Sequence, residues 1–408
     1  MGGAKMIQRL HDLLDGSYEE MVSIRRYLHQ HPELSFQETQ TAAFIAEYYK
    51  KHGIEHRTNV GGNGVIAKVT GSKPGKTVAL RADFDALPIQ DEKEVHYKSS
   101  VPGVMHACGH DGHTATLLLL AKNLNELKDD LEGEYIFIHQ HAEEYAPGGA
   151  KPIIEAGCLD GVDVIFGTHL WATAPTGTVQ YALGPLMAAA DRFEITIQGQ
   201  GGHGAQPHKT RDAIVVGSQL VMALQQIVSR RLNPIDSAVI TVGSFVADNA
   251  FNVIADKAKI IGTVRTFKED VRSFISEEME RIVKGTCLAA DCTYEYQYFQ
   301  GYPAVIPHVE ETKFLIESTE SVKEVLITEE IAPDMTGEDF SYYLQNVKGT
   351  FFFTGARPKN EHTYPHHHPL FDIDEKAMLI AAKILGTAAV TYHNKKQSSK
   401  KVNESLLQ

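Results

Sequence analysis

The stretch 104–113, VMHACGHDGH, puts Cys108, His106, His110, His113 and Asp111 within ten positions, spaced by glycine and alanine. Two chemistries use such a cluster: a thiol activated by basic neighbours, or one arm of a metal site completed elsewhere in the chain. Ligand-type residues recur after four short apolar runs. TVALR (77–81) leads to Asp83 and Asp85, and YIFIH (135–139) to His141, Glu143 and Glu144. VDVIFG (162–167) leads to His169, and FFFTG (351–355) to a loop carrying His366, His367 and His368. In an open parallel sheet, segments just beyond the carboxyl ends of strands converge. A thiol hydrolase needs no second set of carboxylates and imidazoles at these ends. A metal site does, and thiolate, imidazole and carboxylate together suit Zn²⁺, Mn²⁺ or Co²⁺. The metal reading uses every segment. Cys158, Cys287 and Cys292 have no ligand types beside them and read as structural.

The elements that must hold these residues follow from periodicity. Apolar residues recur at helical spacing over 6–28 and 39–49, with Ser35 and Glu38 as a capping box for the second helix and Gly53 as its stop. A helix is expected over 114–127, leaving Cys108 and His110 in the loop before it, and another over 375–392. The runs at 65–69, 77–81, 135–139, 162–167 and 350–354 fit buried strands of a largely parallel sheet. Between 188 and 299 the rhythm changes to β-α-β-β-α-β, the ferredoxin-like split unit. The expected fold is therefore α/β: a domain with a mixed, mainly parallel sheet, formed by residues 1–187 and 300–408, interrupted by a ferredoxin-like α+β insert at 188–299.

At 408 residues the chain exceeds one ordinary core, which agrees with two domains. A formal charge of −13, with the basic residues clustered only at 395–401, argues against a nucleic-acid surface. That basic stretch reads as a solvated end. No apolar run is expected to reach the ~18 residues of a membrane span. The first residues lack the apolar core of a secretion signal, and four cysteines do not make a disulfide framework, so a cytoplasmic location is expected.

Eight segments in order, RADFDALPI, MHACGHDGHT, HQHAEE, FGTHLW, GGHGAQPH, FNVIAD, GEDFSYYL and HHPLFDIDE, resemble the motifs of the M20 metallopeptidase superfamily. Within it they resemble the amidohydrolase branch of indole-acetyl-amino-acid hydrolases, hippurate hydrolases and N-acyl-amino-acid deacylases. The resemblance implies a dinuclear metal site in the larger domain and an insert that serves as lid and dimerisation domain. Carried over by position, it implies Cys108, His110, Glu144, His169 and His367 as metal ligands, with His368 in a variable place. It implies Glu143 as general base and Asp85 as support for the metal site. His203 would polarise the scissile carbonyl from the partner subunit, and Asn252 and Arg265 would bind the substrate carboxylate. Adjacent Glu143 and Glu144 can take different roles because successive residues leaving a strand point to opposite sides.

The function so implied is hydrolysis of N-acyl amino acids by water activated at two divalent ions, Mn²⁺, Zn²⁺ or Co²⁺, in a homodimer or higher homo-oligomer formed through the lid. No nucleic-acid or membrane partner is expected. A dipeptidase or carboxypeptidase is the near rival. A silent metal-binding scaffold would require loss of Glu143 or of a ligand, and all are present.

Overall fold

The apolar runs singled out above lie side by side in one eight-stranded sheet. The computed structural model describes residues 2–359 and 363–394, so the basic stretch 395–401 lies outside the described residues. The large sheet begins with β1 (Glu55–Val60), β2 (Gly64–Thr70), β3 (Lys73–Asp83), β4 (Glu132–Gln140), β5 (Val164–Pro175) and β6 (Thr178–Tyr181). The chain then builds a second sheet from β7 (Ala189–Gln198), β9 (Ala238–Val246), β11 (Lys257–Thr266) and β12 (Thr293–Tyr302), with a two-stranded piece made of β8 (Gly202–His203) and β10 (Val253–Ile254). It returns to the large sheet with β13 (Ile327–Glu330) and β14 (Gly349–Arg357).

The large sheet runs β1-β2-β4-β3-β5-β14-β6-β13. Its four central strands, β4, β3, β5 and β14, are parallel, so their carboxyl ends share one edge. Antiparallel β2 and β6 flank them. Both faces are apolar and covered, which parallel strands require. The mainly parallel α/β expectation holds. β5 begins two residues later than its apolar run and continues past His169, which therefore sits within a strand and not after one.

The second sheet runs β12-β7-β11-β9 with every pair antiparallel, the topology expected for the split β-α-β-β-α-β unit. Its helices, Ala213–Gln226 and Glu269–Ala289, close a core of its own around Phe193, Ile195, Leu220, Ile260, Ile275 and Met279. The β8–β10 pair was not anticipated; two residues per strand are too few to leave a periodic signal. The two chain crossings run side by side, with Leu186 N donating to Val305 O and Val305 N to Met187 O.

Helix boundaries moved where tertiary contacts outweigh local preference. The expected helix over 6–28 is two helices, Gly2–Gly16 and Tyr18–Gln30, parted at Ser17, whose hydroxyl bonds Leu13 O and Asn123. Thr39–Lys51 is helical and Gly53 (φ +64°) follows its end, but Ser35 and Glu38 do not cap it. The Glu33 carboxylate accepts from the backbone N of Gln40 and Thr41 instead. Ser35 and Glu38 are drawn to the sheet edge by Asp85, Asn63 and Ala142. The helix expected at 114 starts at His110, so His110 occupies its first turn. It spans His110–Glu126 and is buried all round.

One described helix is long and apolar enough to cross a membrane: residues 213–231, mean hydropathy 1.2, one third buried. The expectation that no run reaches that length is corrected. The inner face of this helix is apolar and its outer face is mixed, with Ser218, Gln219, Gln225 and Gln226 exposed beside three apolar side chains. Ala213, Val216, Leu220, Leu224 and Ile227 pack inward, while Ile214, Val215 and Met222 are exposed.

Candidate metal centre

At the carboxyl edge of β4, β3, β5 and β14 the expected donors meet. Cys108 Sγ lies 3.4 Å from His169 Nε2 and 3.8 Å from His366 Nδ1. Glu144 Oε1 lies 3.3 Å from His367 Nε2 and 3.8 Å from His110 Nε2. Donor atoms of Cys108, Glu144 and His367 fall within 4.8 Å of one another, as do those of His110, Glu143 and Glu144. All five expected ligands and Glu143 are thus assembled. His366 joins them, whereas His368 turns away, its Nδ1 accepting from Leu370 N and its ring stacked on Tyr364.

Local structure aims each side chain. Gly109 takes φ +96°, a left-handed turn that suits glycine, and the next residue, His110, opens the helix. His110 Nδ1 donates to the backbone O of Asp85 (3.0 Å) and lies 3.2 Å from its carboxylate, leaving Nε2 as the coordinating atom. His169 Nδ1 donates to Leu170 O at 3.1 Å, which likewise leaves Nε2 toward Cys108. The other oxygen of Asp85 accepts from Ser35 Oγ (2.7 Å) and Glu144 N (2.9 Å). Asp85 therefore orients one donor through its ring and another through its backbone. His113 is a strut: Nδ1 donates to Asp83 at 2.6 Å and Nε2 accepts from Leu170 N, so both nitrogens are committed.

The donor set fits metal. His110 Nε2 and Glu144 Oε1 are buried and make no hydrogen bond, a costly state for two polar atoms. A divalent ion bound between these residues would satisfy both atoms. The charge balance points the same way. Asp83, Asp85, Glu143, Glu338 and Asp339 are all buried, with Glu144 beside them. Arg81 touches three of these carboxylates, Asp83 at 2.6 Å, Asp339 at 2.8 Å and Glu338 at 3.0 Å. Burial, then Glu338 and Glu144, push the Glu143 carboxyl far above its usual range. Burial, then Glu144 and Glu143, push the Cys108 thiol up as well. An activated thiol nucleophile needs the opposite, a cationic setting that lowers its pKa.

The insert residues lie apart. His203 is exposed on β8, its Nδ1 accepting from Ala205 N. Asn252 is exposed beside it, its carbonyl accepting from Gly204 N. Arg265, half-buried on β11, bonds Thr263 Oγ1 and Val264 O; among the described residues no carboxylate pairs with it. None of the three shares a hydrogen bond or ion pair with the donor cluster among the described residues. Sequence reasoning marked Asp83 as a ligand type at a strand end and gave no role to Arg81, Gln140, Glu338 or Asp339, which with it form the network beneath the donors. One signal was available: an arginine inside the apolar run TVALR, fully buried in β3.

The model of peptidase family M20/M25/M40 matches residues 79–391. YhaA of Bacillus subtilis (strain 168) is 63% identical over 384 residues, 93% of this chain and 96% of that one. An N-acyl-L-amino acid amidohydrolase of Geobacillus stearothermophilus is 49% identical over 298 residues, 73% of this chain and 80% of that one. The crystal structure of the Bacillus subtilis YXEP protein, a dinuclear metal-binding peptidase from the M20 family, matches with a TM-score of 0.80 at 34% identity, covering 94% of this chain and 100% of that one. This chain belongs to peptidase family M20/M25/M40, as one of its amidohydrolases.

Proposed function

We propose that this enzyme hydrolyses N-acyl amino acids to a carboxylic acid and a free amino acid at two divalent ions, Mn²⁺, Zn²⁺ or Co²⁺. The observation that carries the reading is the pair of unbonded buried donors, His110 Nε2 and Glu144 Oε1, with the Glu143 carboxylate beside them. The amidohydrolase relative of Geobacillus stearothermophilus supports the substrate class. Cys108, His110, Glu144, His169 and His367 hold the ions, and His366 lies close enough to Cys108 to share in that task. Bound there, divalent ions acidify water and polarise a carbonyl.

The chain's own residues do the rest. Glu143 takes a proton from the attacking water on its carboxylate and returns it to the leaving amine nitrogen. His203 donates a hydrogen bond to the oxygen of the former carbonyl as negative charge collects there. Arg265 and Asn252 hold the substrate carboxylate. An arginine without a carboxylate partner in its own sheet is free to take one from a ligand. Arg265→Ala is expected to raise KM for N-acyl amino acids at least tenfold more than for the matching amides, because a hydrogen bond to a charged group contributes roughly 1.5–3 kcal/mol. Steady-state kinetics on the two substrate series decides it; equal losses would make the residue structural.

His203 is exposed and apart from the donors, which suits action on a second copy's site. The open edge of β9 and the exposed apolar side chains beside it fit such a copy: Val239, Phe245 and Val246 on the strand, and Ile214, Val215 and Met222 on the helix. Mixing inactive His203→Ala with inactive Glu143→Ala should restore roughly a quarter of wild-type activity through hybrid dimers with one sound site each. No recovery after subunit exchange would put His203 to work in its own chain. All four cysteines are free, which fits a reducing cytoplasm.

The overall reading is tested by adding Mn²⁺, Zn²⁺ or Co²⁺ to metal-free enzyme and assaying acetyl-, benzoyl- and indole-acetyl-amino acids against free dipeptides. Hydrolysis confined to substrates with a free amino group would favour a dipeptidase.

A further inference from the structure

Three successive residues after β4 are each gripped by a distant side chain. Ala142 N donates to Glu38 Oε1 at 2.8 Å, and Glu144 N donates to Asp85 Oδ2 at 2.9 Å. Between them, the backbone O of Glu143 accepts a 2.6 Å hydrogen bond from the phenol of Tyr302. The segment needs such grips, because Ala142 sits at φ +51°, a conformation an alanine holds only when its surroundings dictate it.

Tyr302 differs from the other two anchors in where it comes from. It is the last residue of β12, the strand on which the chain leaves the smaller sheet. The peptide just before it is held from both domains: on the smaller one Gly301 N donates to Asp191 and Gly301 O accepts from Arg272 at 2.9 Å, and on the larger one Gly301 O accepts from Tyr342 at 3.3 Å. Its ring is buried and packs against the loop after Glu143. A side chain at Gly148, φ +81°, would come within 2.9–3.0 Å of it. Burial, with Asp339 and Glu143 nearby, drives the phenol pKa far up, so the group stays a donor.

From this geometry we infer that Tyr302 is a positioning residue that fixes the Glu143 carboxylate through its backbone and ties the proton carrier to the strand bearing the smaller domain. The inference rests on the reading of Glu143 as general base. A phenylalanine keeps the ring and its packing and removes only the hydroxyl. Small displacements of a reacting group cost rate steeply, so kcat of Tyr302→Phe is expected to fall about tenfold. KM and metal content should stay at wild-type values.

The deciding measurement is a double-mutant cycle with Glu143→Gln, followed by the residual hydrolysis rate of metal-loaded enzyme. If Tyr302 acts through Glu143, adding Tyr302→Phe to Glu143→Gln causes no further loss. The same tenfold loss in both backgrounds, or an unchanged kcat in the single variant, overturns the inference. Full activity in Glu143→Gln itself would instead overturn the general-base reading, so the two failures are distinguishable.

Discussion

Glu143→Gln is expected to lower turnover by a factor on the order of 10²–10⁴ with both metal ions still bound. The amide keeps the size of the side chain but cannot accept the proton that leaves water. Among the described residues Glu143 is a buried carboxylate that adjoins the donor cluster without an ion-pair partner of its own, whereas Asp83, Glu338 and Asp339 share Arg81. Glu144→Gln should behave differently: it removes an anionic ligand, so metal content falls first and activity with it. Metal analysis alongside kcat separates the variants. Metal lost from Glu143→Gln and retained in Glu144→Gln would reverse the two assignments.

Arg81→Met should lower the unfolding free energy of the metal-free protein by about 3–5 kcal/mol, the usual cost of leaving buried charges without their partner. Arg81 is fully buried, and its guanidinium meets Asp83, Glu338 and Asp339 while Nε donates to Gln140 at 3.0 Å. Gln140 in turn reaches Asp339 and, through its carbonyl, Tyr343. Burial already pushes Glu338 and Asp339 above the usual carboxylate range with Arg81 in place. Without the cation these groups hold their protons more tightly still. The folded variant then binds more protons than the unfolded chain, so its stability declines as pH rises above the unfolded carboxylate pKa of about 4. The gap to wild type should therefore be smaller at acidic pH than at neutral pH. Urea unfolding at two pH values tests this; coincident curves for variant and wild type would remove the network from the account of stability.

The sequence was most readable where a residue's type constrains its neighbours. Apolar runs ending in Asp, Glu or His marked the strand edge, and Cys108, His110, Glu144, His169 and His367 do gather there. The split α+β unit was readable because its helices and strands each keep a clear period. Failures cluster where partners are remote in sequence. Ser35 and Glu38 look like a local cap, yet Asp85 and Ala142 claim their oxygens. Arg81 finds Glu338 across 257 positions, a pairing that no local window contains. Among the three consecutive late histidines, His367 at φ +65° turns the chain so that His366 faces Cys108 and His368 faces outward. Side-chain type alone does not encode that turn.

Among the described residues β14 is the last strand to be made, yet it lies between β5 and β6. Its three phenylalanines serve both faces: Phe352 enters one core, and Phe351 and Phe353 enter the other. A chain still on the ribosome therefore carries β5 with an open edge, and both hydrophobic layers short of their central aromatics, while the whole smaller domain is being translated. That domain, closed around its own core, is complete before the larger one can be. His366 and His367 emerge later still, after β14. On this reading the metal site is complete only once His367 has been made. A message cut short before residue 349 would leave the sheet broken between β5 and β6 with its apolar faces open, which makes β14 a quality check on the product of translation.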